Sequence, residues 1–309
     1  MKVLVLGAGG IGGYFGGRLA EKGVDVTFLV RERRYRELTE RGLRIQSIHG
    51  DFHLEQPQLI KAGEAAGPFD VVLLSNKAYH LAESVRDIAP YVGEQTVVIP
   101  LLNGIAHMEL LWERFGQGRV LGGLCFIETT LNADGDIVQT SSTHDTVFGE
   151  WEGGMSERVM RIAEAFSGIN GSMRASENIQ RDAWQKYLFI TTLSGITTLM
   201  NAAVGPIRDS KYGIDLTRQL AEECAAVIRA LEAPIRADIV DKQMETFQNQ
   251  GAAMKSSMLR DMEKGLSVEA DHLQGYLLDH AQRLGLSTPL LKVVYNNLKV
   301  YEQKLSESK

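Results

Sequence analysis

The stretch "KVLVLGAGGIGGYFGGRLAEKG", residues 2–23, constrains the fold of this chain more than any other. An apolar, β-branched run ends at Leu6, and Gly7, Gly9 and Gly12 then follow in GxGxxG spacing at the head of a helical pattern. Glycines so placed allow a tight turn, a close approach of backbone to a pyrophosphate and tight packing of helix on sheet, while the helix N-terminus attracts phosphate charge. A strand, a glycine loop and a helix in this order predict the opening unit of a Rossmann-type dinucleotide-binding domain, with Gly7, Gly9, Gly10 and Gly12 on the cofactor.

The rest of the first half keeps that rhythm. Short β-branched runs ("VDVTFLV", "FDVVLLS", "TVVIPLL") alternate with helical patterns ("RRYRELTERG", "AYHLAESVRDI"), as in a parallel sheet covered by helices. Between about residues 42 and 60 the chain reads as a hairpin insertion, and "CFIETTLNADGDIVQTSSTHDTVFGEW" as further antiparallel strands turned by "ADGD"; both are expected to extend the sheet at an edge. After roughly residue 176 helical patterns take over, at 178–200, 211–232, 238–262 with breaks, 268–284 and beyond Pro289, so residues 1–176 and 177–309 are expected to form an α/β and an all-helical domain. Only the tail "KLSESK" has the composition of a frayed end.

Bulk properties narrow the classes of function. The 309 residues carry 33 basic and 39 acidic side chains, a formal charge of -6, which excludes a broad nucleic-acid surface. Cys125 and Cys224 have neither the number nor the spacing of a disulfide framework or metal knuckle, and read as reduced core thiols. No stretch approaches the roughly 18 uninterrupted apolar residues of a membrane span, so a soluble, cytoplasmic protein without membrane or nucleic-acid partners is expected. No metal centre is expected either, because His272 and His280 stand eight apart with no third ligand in pattern. A homodimer is compatible with the helical half, although a dimer face and a core read alike in sequence.

The second strand should end near the adenosine ribose, where NAD enzymes usually offer a carboxylate. Arg31 stands there, followed by Arg33 and Arg34, and a guanidinium suits a 2′-phosphate through charge-assisted, bidentate hydrogen bonds. NADPH is therefore the expected cofactor, against the alternative that these arginines are solvated charge on a surface helix. Lys77 in "SNKAYH" and Asn103 in "LLNGI" follow the next two strands, at the carboxyl edge where open α/β sheets bind ligands.

In the helical half, Lys186 heads the otherwise uncharged stretch "YLFITTLSGITTLMN". Either it snorkels from the edge of a buried helix, or it faces a ligand and acts on it. Ser256 and Ser257 occur in "MKSSMLRDMEKG", and Glu269 opens a helix behind Ser267, where a carboxylate can equally be compensating the helix dipole.

Taken together, these residues resemble the ketopantoate reductase (2-dehydropantoate 2-reductase) family over nearly the whole chain. The matching elements are "GAGGIG", Arg31, Lys77 in "NKAYH", Asn103 in "LLNGI", Lys186 in "AWQKYLF", Ser257 in "SSMLRDMEKG" and Glu269 in "VEADHLQGYLL". The resemblance implies a Rossmann-type domain followed by an all-α domain of the 6-phosphogluconate dehydrogenase-like type, with NADPH-dependent reduction of a 2-keto acid in a cleft between them. It implies Lys186 as general acid, Asn103 positioning nicotinamide and substrate, Ser257 on the substrate carboxylate and Glu269 holding substrate and lysine. In the family the product is pantoate, a precursor of pantothenate and coenzyme A. The chemistry agrees with these roles: hydride delivery to a carbonyl carbon leaves negative charge on oxygen, which a positioned ammonium both stabilises and protonates.

One departure bears on the substrate. In the family the helix bearing the lysine presents asparagines four and eight residues later, and here those positions hold Ile190 and Ser194. Ser194 keeps a hydroxyl for substrate, while Ile190 removes an amide that would recognise a distal hydroxyl. The readings carried forward are a 2-dehydropantoate reductase, a related reductase of a more apolar 2-keto acid, and an NADPH-binding sensor without turnover.

Overall fold

The computed structural model describes residues 1–307, and the chain divides into two compact units: Met1–Leu102 with His107–Gln180, and Asn103–Ala106 with the chain from Arg181 onward. The strands, all in the first unit, are β1 (Lys2–Leu6), β2 (Asp25–Leu29), β3 (Leu43–Ser47), β4 (Phe52–Leu54), β5 (Gln58–Ile60), β6 (Val71–Leu74), β7 (Val97–Pro100), β8 (Gly122–Leu131), β9 (Ile137–Gly149) and β10 (Ser172–Ala175). Its helices are α1 (Gly10–Glu21), α2 (Glu32–Arg41), α3 (Leu81–Ile88), α4 (His107–Phe115) and α5 (Glu157–Phe166).

The main sheet is parallel throughout, in the order β5-β2-β1-β6-β7. Strict alternation along β1 explains its apolar run: Val3 and Val5 enter one core with Phe15, Phe28 and Ile45, whereas Leu4 and Leu6 enter the other with Val72, Leu74 and Leu111. A strand covered on both faces has no polar side to show.

The sequence pattern suggests that both insertions extend that sheet at an edge; only the end of the first does so, as β5 beside β2, whereas the hairpins themselves lie elsewhere. β3 and β4 do form an antiparallel hairpin, and β8 and β9 another, but β9 pairs in parallel with β3 and β10 to build a second sheet, β10-β9-β3-β4 with β8 on β9. Only an isolated bridge, Val98 to Val120, links β7 to the approach of β8. The reason lies in α1. Its extra glycines let side chains close in from both sides: a Cβ on Gly16 would stand 2.6 Å from the Phe28 ring, and one on Gly17 2.7 Å from Cδ1 of Ile45. Tyr14, Phe15 and Leu19 are fully buried, so α1 serves as shared core for two sheets rather than cover for one.

The second unit is helical: α6 (Ile179–Met200), α7 (Val204–Arg208), α8 (Gly213–Ala230), α9 (Ile239–Asn249), α10 (Ser257–Glu263), α11 (Tyr276–Arg283) and α12 (Pro289–Glu307). A π-helical turn at Asp271–Gly275 leads directly into α11. Pro289 opens α12 as its fixed φ favours, and the Glu223 carboxylate on α8 accepts from the Leu290 and Leu291 amides at 3.2 and 2.9 Å, satisfying two of the donors that every helix start leaves over. Of the tail expected to fray, Lys304–Glu307 complete α12, and the last two positions lie outside the described residues. No helix among the described residues is long and apolar enough to cross a membrane.

Candidate active site

In the first unit the expected cofactor residues gather at the carboxyl ends of β1, β2 and β6. Gly7 turns with φ of +88°, a conformation costly for any other residue, and its amide bonds the Leu29 carbonyl at 2.9 Å, tying the ends of β1 and β2 together. Gly12 is required by packing, since a Cβ there would collide with the Gly7 carbonyl and the Ser75 hydroxyl. Gly9 is different. It caps α1 with no side-chain hydrogen bond, and a Cβ on it would meet nothing within 4 Å. Open space directly over a helix N-terminus whose first amides lack a side-chain acceptor fits a pyrophosphate. Gly10 faces Thr129 of β8, whose Oγ1 would be 2.7 Å from a Cβ at that position.

Arg31 is the cap residue of α2, and its guanidinium, 60% exposed, forms an ion pair with Glu83 on α3. It thus lies beside the turn after β6, where Lys77 precedes the short helical turn Ala78–His80. Ser75, not singled out in the sequence, and Arg34, read there as following Arg31, complete this edge. Ser75 donates to the Leu6 carbonyl at 2.8 Å beneath the glycine turn. Arg34 donates from Nε to the Ala8 carbonyl at 3.1 Å and is held by Glu37 at 3.2 Å. Ser75 had no signal in spacing, because its partner comes from another strand.

The second unit contains the other half of the expected set. Asn103, which counts with this unit, accepts a hydrogen bond from Nζ of Lys186 through its Oδ1 at 3.2 Å. The lysine thus faces a polar partner and is not simply snorkelling to water. Beside them, an imidazole N–H of His272 donates to the Asn103 carbonyl, and the Glu269 carboxylate lies close enough to favour the imidazolium. Burial outweighs both and holds His272 below its ordinary value, so the ring is neutral near neutrality. Glu269 is itself only 8% exposed, just before the helical turn that carries His272.

The remaining candidates have distinct surroundings. Ser194, 3% exposed, accepts from Nε2 of Gln274 at 2.8 Å, and the same amide donates to the Thr191 carbonyl at 3.2 Å. Ile190 lies between Lys186 and Ser194 in sequence, four residues from each on α6. Of the paired serines, Ser256 caps α10 by accepting from the Leu259 amide at 3.1 Å, and it shares a 2.7 Å hydrogen bond with Thr197 of α6. That leaves Ser257 exposed at the first position of α10. His272 and Gln274 were not singled out as site residues; both sit on the π-helical turn, a departure from α geometry that spacing alone does not reveal.

Comparison with known proteins gives consistent matches. The family model described as ketopantoate reductase PanE/ApbA matches residues 3–153, and that described as its C-terminal part matches residues 178–302. The chain is 47% identical over 302 residues to "Uncharacterized oxidoreductase YkpB" of Bacillus subtilis, spanning 98% of this chain and 99% of that protein. It is 26% identical to 2-dehydropantoate 2-reductase of Pyrococcus abyssi, with 97% of each chain covered. A crystal structure of 2-dehydropantoate 2-reductase from Geobacter metallireducens superposes with a TM-score of 0.89 at 28% identity, covering 97% of this chain and 99% of that one.

Proposed function

The chain belongs to the ketopantoate reductase PanE/ApbA family and is an oxidoreductase, and from that premise we propose that it reduces 2-dehydropantoate to pantoate with NADPH, in pantothenate and coenzyme A biosynthesis in the cytoplasm. In this reading residues 1–176 hold the cofactor and 177–309 the substrate. The observation that carries it is the hydrogen bond from Lys186 Nζ to Asn103 Oδ1 at 3.2 Å, which fixes an ammonium group in a partly buried polar setting.

Bound NADPH supplies the hydride. As charge develops on the carbonyl oxygen, Lys186 stabilises it and then donates a proton to it, becoming the neutral amine until solvent restores the ammonium. Asn103 orients Lys186 by accepting one of its three N–H groups. The exposed Ser257 hydroxyl is assigned to the substrate carboxylate, and Glu269 to holding Lys186 and substrate in register. On the cofactor side, Gly7, Gly9, Gly10 and Gly12 receive the pyrophosphate, Arg31 and Lys77 receive the 2′-phosphate, and Asn103 also contacts the nicotinamide end.

A second reading keeps the chemistry and changes the substrate. Ile190 has no polar group, and Ser194 is already engaged by Gln274, so the α6 face beyond Lys186 offers less to a distal hydroxyl than a pair of amides. That favours a 2-keto acid with an apolar side chain. Steady-state NADPH oxidation over a panel of 2-keto acids separates the readings. The highest kcat/KM for 2-dehydropantoate is expected; a much higher value for a substrate without the hydroxyl replaces it with the second reading. NADPH binding with no turnover across the panel defeats both and leaves a sensor.

A further inference from the structure

The segment Asn103–Ala106 is built into the helical unit, and one side chain on the π-helical turn accounts for much of its fit. Gly104 turns with φ of +85°, and a Cβ there would stand 2.9 Å from Cδ2 and 3.2 Å from Nε2 of His272, so the imidazole rests on the glycine α-carbon. The Cδ2 of Leu273 would be 3.0 Å from the same point and closes the contact beside it. One residue earlier, the Asn103 carbonyl accepts the imidazole N–H, and its side chain accepts from Lys186. An aliphatic side chain would fill the space over Gly104 equally well, but only a donor holds the carbonyl and thereby sets the plane of the Asn103 peptide.

We propose that His272 is a positioning residue for the reduction: seated on Gly104, it holds the Asn103 backbone so that Oδ1 meets the Lys186 ammonium. His272 touches neither hydride nor proton in this scheme. It acts through Asn103, and the inference rests on Lys186 being the proton donor. The neutral ring suffices, because one N–H is all the Asn103 carbonyl needs.

The test compares His272→Phe, which keeps a flat ring over Gly104 without the donor, with His272→Asn and His272→Gln, which place an amide N–H near the level of either ring nitrogen. The phenylalanine variant is expected to lose about 10-fold in kcat, with KM for NADPH within about 2-fold of wild type, and one of the amide variants is expected to recover most of the loss. In an Asn103→Ala background, His272→Phe is expected to have little further effect, because the two side chains act in one chain of contacts. Hydrogen exchange of residues 103–106, read without turnover, should quicken in the phenylalanine variant and not in the rescuing one. Wild-type kcat in His272→Phe, equal losses in all three variants, or additive losses with Asn103→Ala would each overturn the proposal. Should His272→Phe fail to fold, the amide variants decide it: a 10-fold loss of kcat in both overturns it. Absence of turnover in the wild type would instead defeat the proposed function, while the exchange measurement would still report whether His272 holds the segment.

Discussion

Lys186 and Asn103 are 83 positions apart, yet their side chains meet at 3.2 Å, and the character of the lysine follows from that contact. A lysine oriented by an amide oxygen is placed to serve, in the proposed reduction, as the acid for a nascent alkoxide. Lys186→Ala is expected to lower kcat by roughly 10² to 10⁴ in stopped-flow NADPH oxidation while leaving the NADPH Kd nearly unchanged. Arg31 is in the opposite position, exposed and paired with another exposed side chain, Glu83. An ion pair of that kind contributes little, so a 2′-phosphate can displace the carboxylate at small cost. Arg31→Ala should therefore weaken NADPH binding much more than NADH binding, and Glu83→Gln should favour NADPH; equal losses for both cofactors would return Arg31 to ordinary surface charge.

At the scale of elements, α1 shows how one glycine-rich sequence answers two demands. Gly12 is there for the fold: a methyl group would press on the Gly7 carbonyl, which is backbone and cannot swing aside. Gly9 has no such packing reason, having no protein neighbour within 4 Å of where its Cβ would lie, and in the proposed function that space receives the pyrophosphate. Gly12→Ala is accordingly expected to destabilise the protein by about 1–3 kcal/mol in denaturant unfolding. Gly9→Ala should leave the midpoint near wild type and weaken cofactor binding in titration calorimetry; a stability loss equal to that of Gly12→Ala would refute the distinction. GxGxxG is legible because tight turns demand particular φ values. The further glycines at 13 and 17 resist reading, because their reason is a second sheet: Gly13 faces Ile137 of β9, more than 100 residues away in the chain, and Gly17 faces Ile45 of β3.

For the whole molecule, pH provides a probe of how that second sheet is held. His144 on β9 accepts or donates at 2.6 Å with the Tyr14 hydroxyl of α1, stacks on His49 at a centroid distance of 3.8 Å, and lies near Arg18 of α1. Burial lowers its pKa first, His49 and Arg18 add to this, and Asp145 opposes them. A histidine whose folded pKa is depressed contributes stability that is complete above its unfolded pKa of about 6.5 and is lost as pH falls through the folded value. The Tm of the full chain is expected to fall on acidification from about pH 7 toward 5, and His144→Asn to flatten that slope in calorimetry. A slope unchanged by the substitution would assign the acid sensitivity elsewhere.

The two-part architecture, the parallel sheet and the family were legible in the linear sequence, because they rest on periods of two and 3.6, on φ values only glycine adopts comfortably, and on motif order. Tertiary structure alone decided the rest. It built the two hairpins into a sheet of their own, counted Asn103–Ala106 with the helical unit, engaged Ser194 with Gln274 and used Ser256 as a cap, leaving Ser257 exposed. The physical reason is common to all four. A repeat or a turn is set by neighbouring residues, whereas the partner of a buried polar group is whichever donor or acceptor packing brings within about 3 Å, from anywhere in the chain.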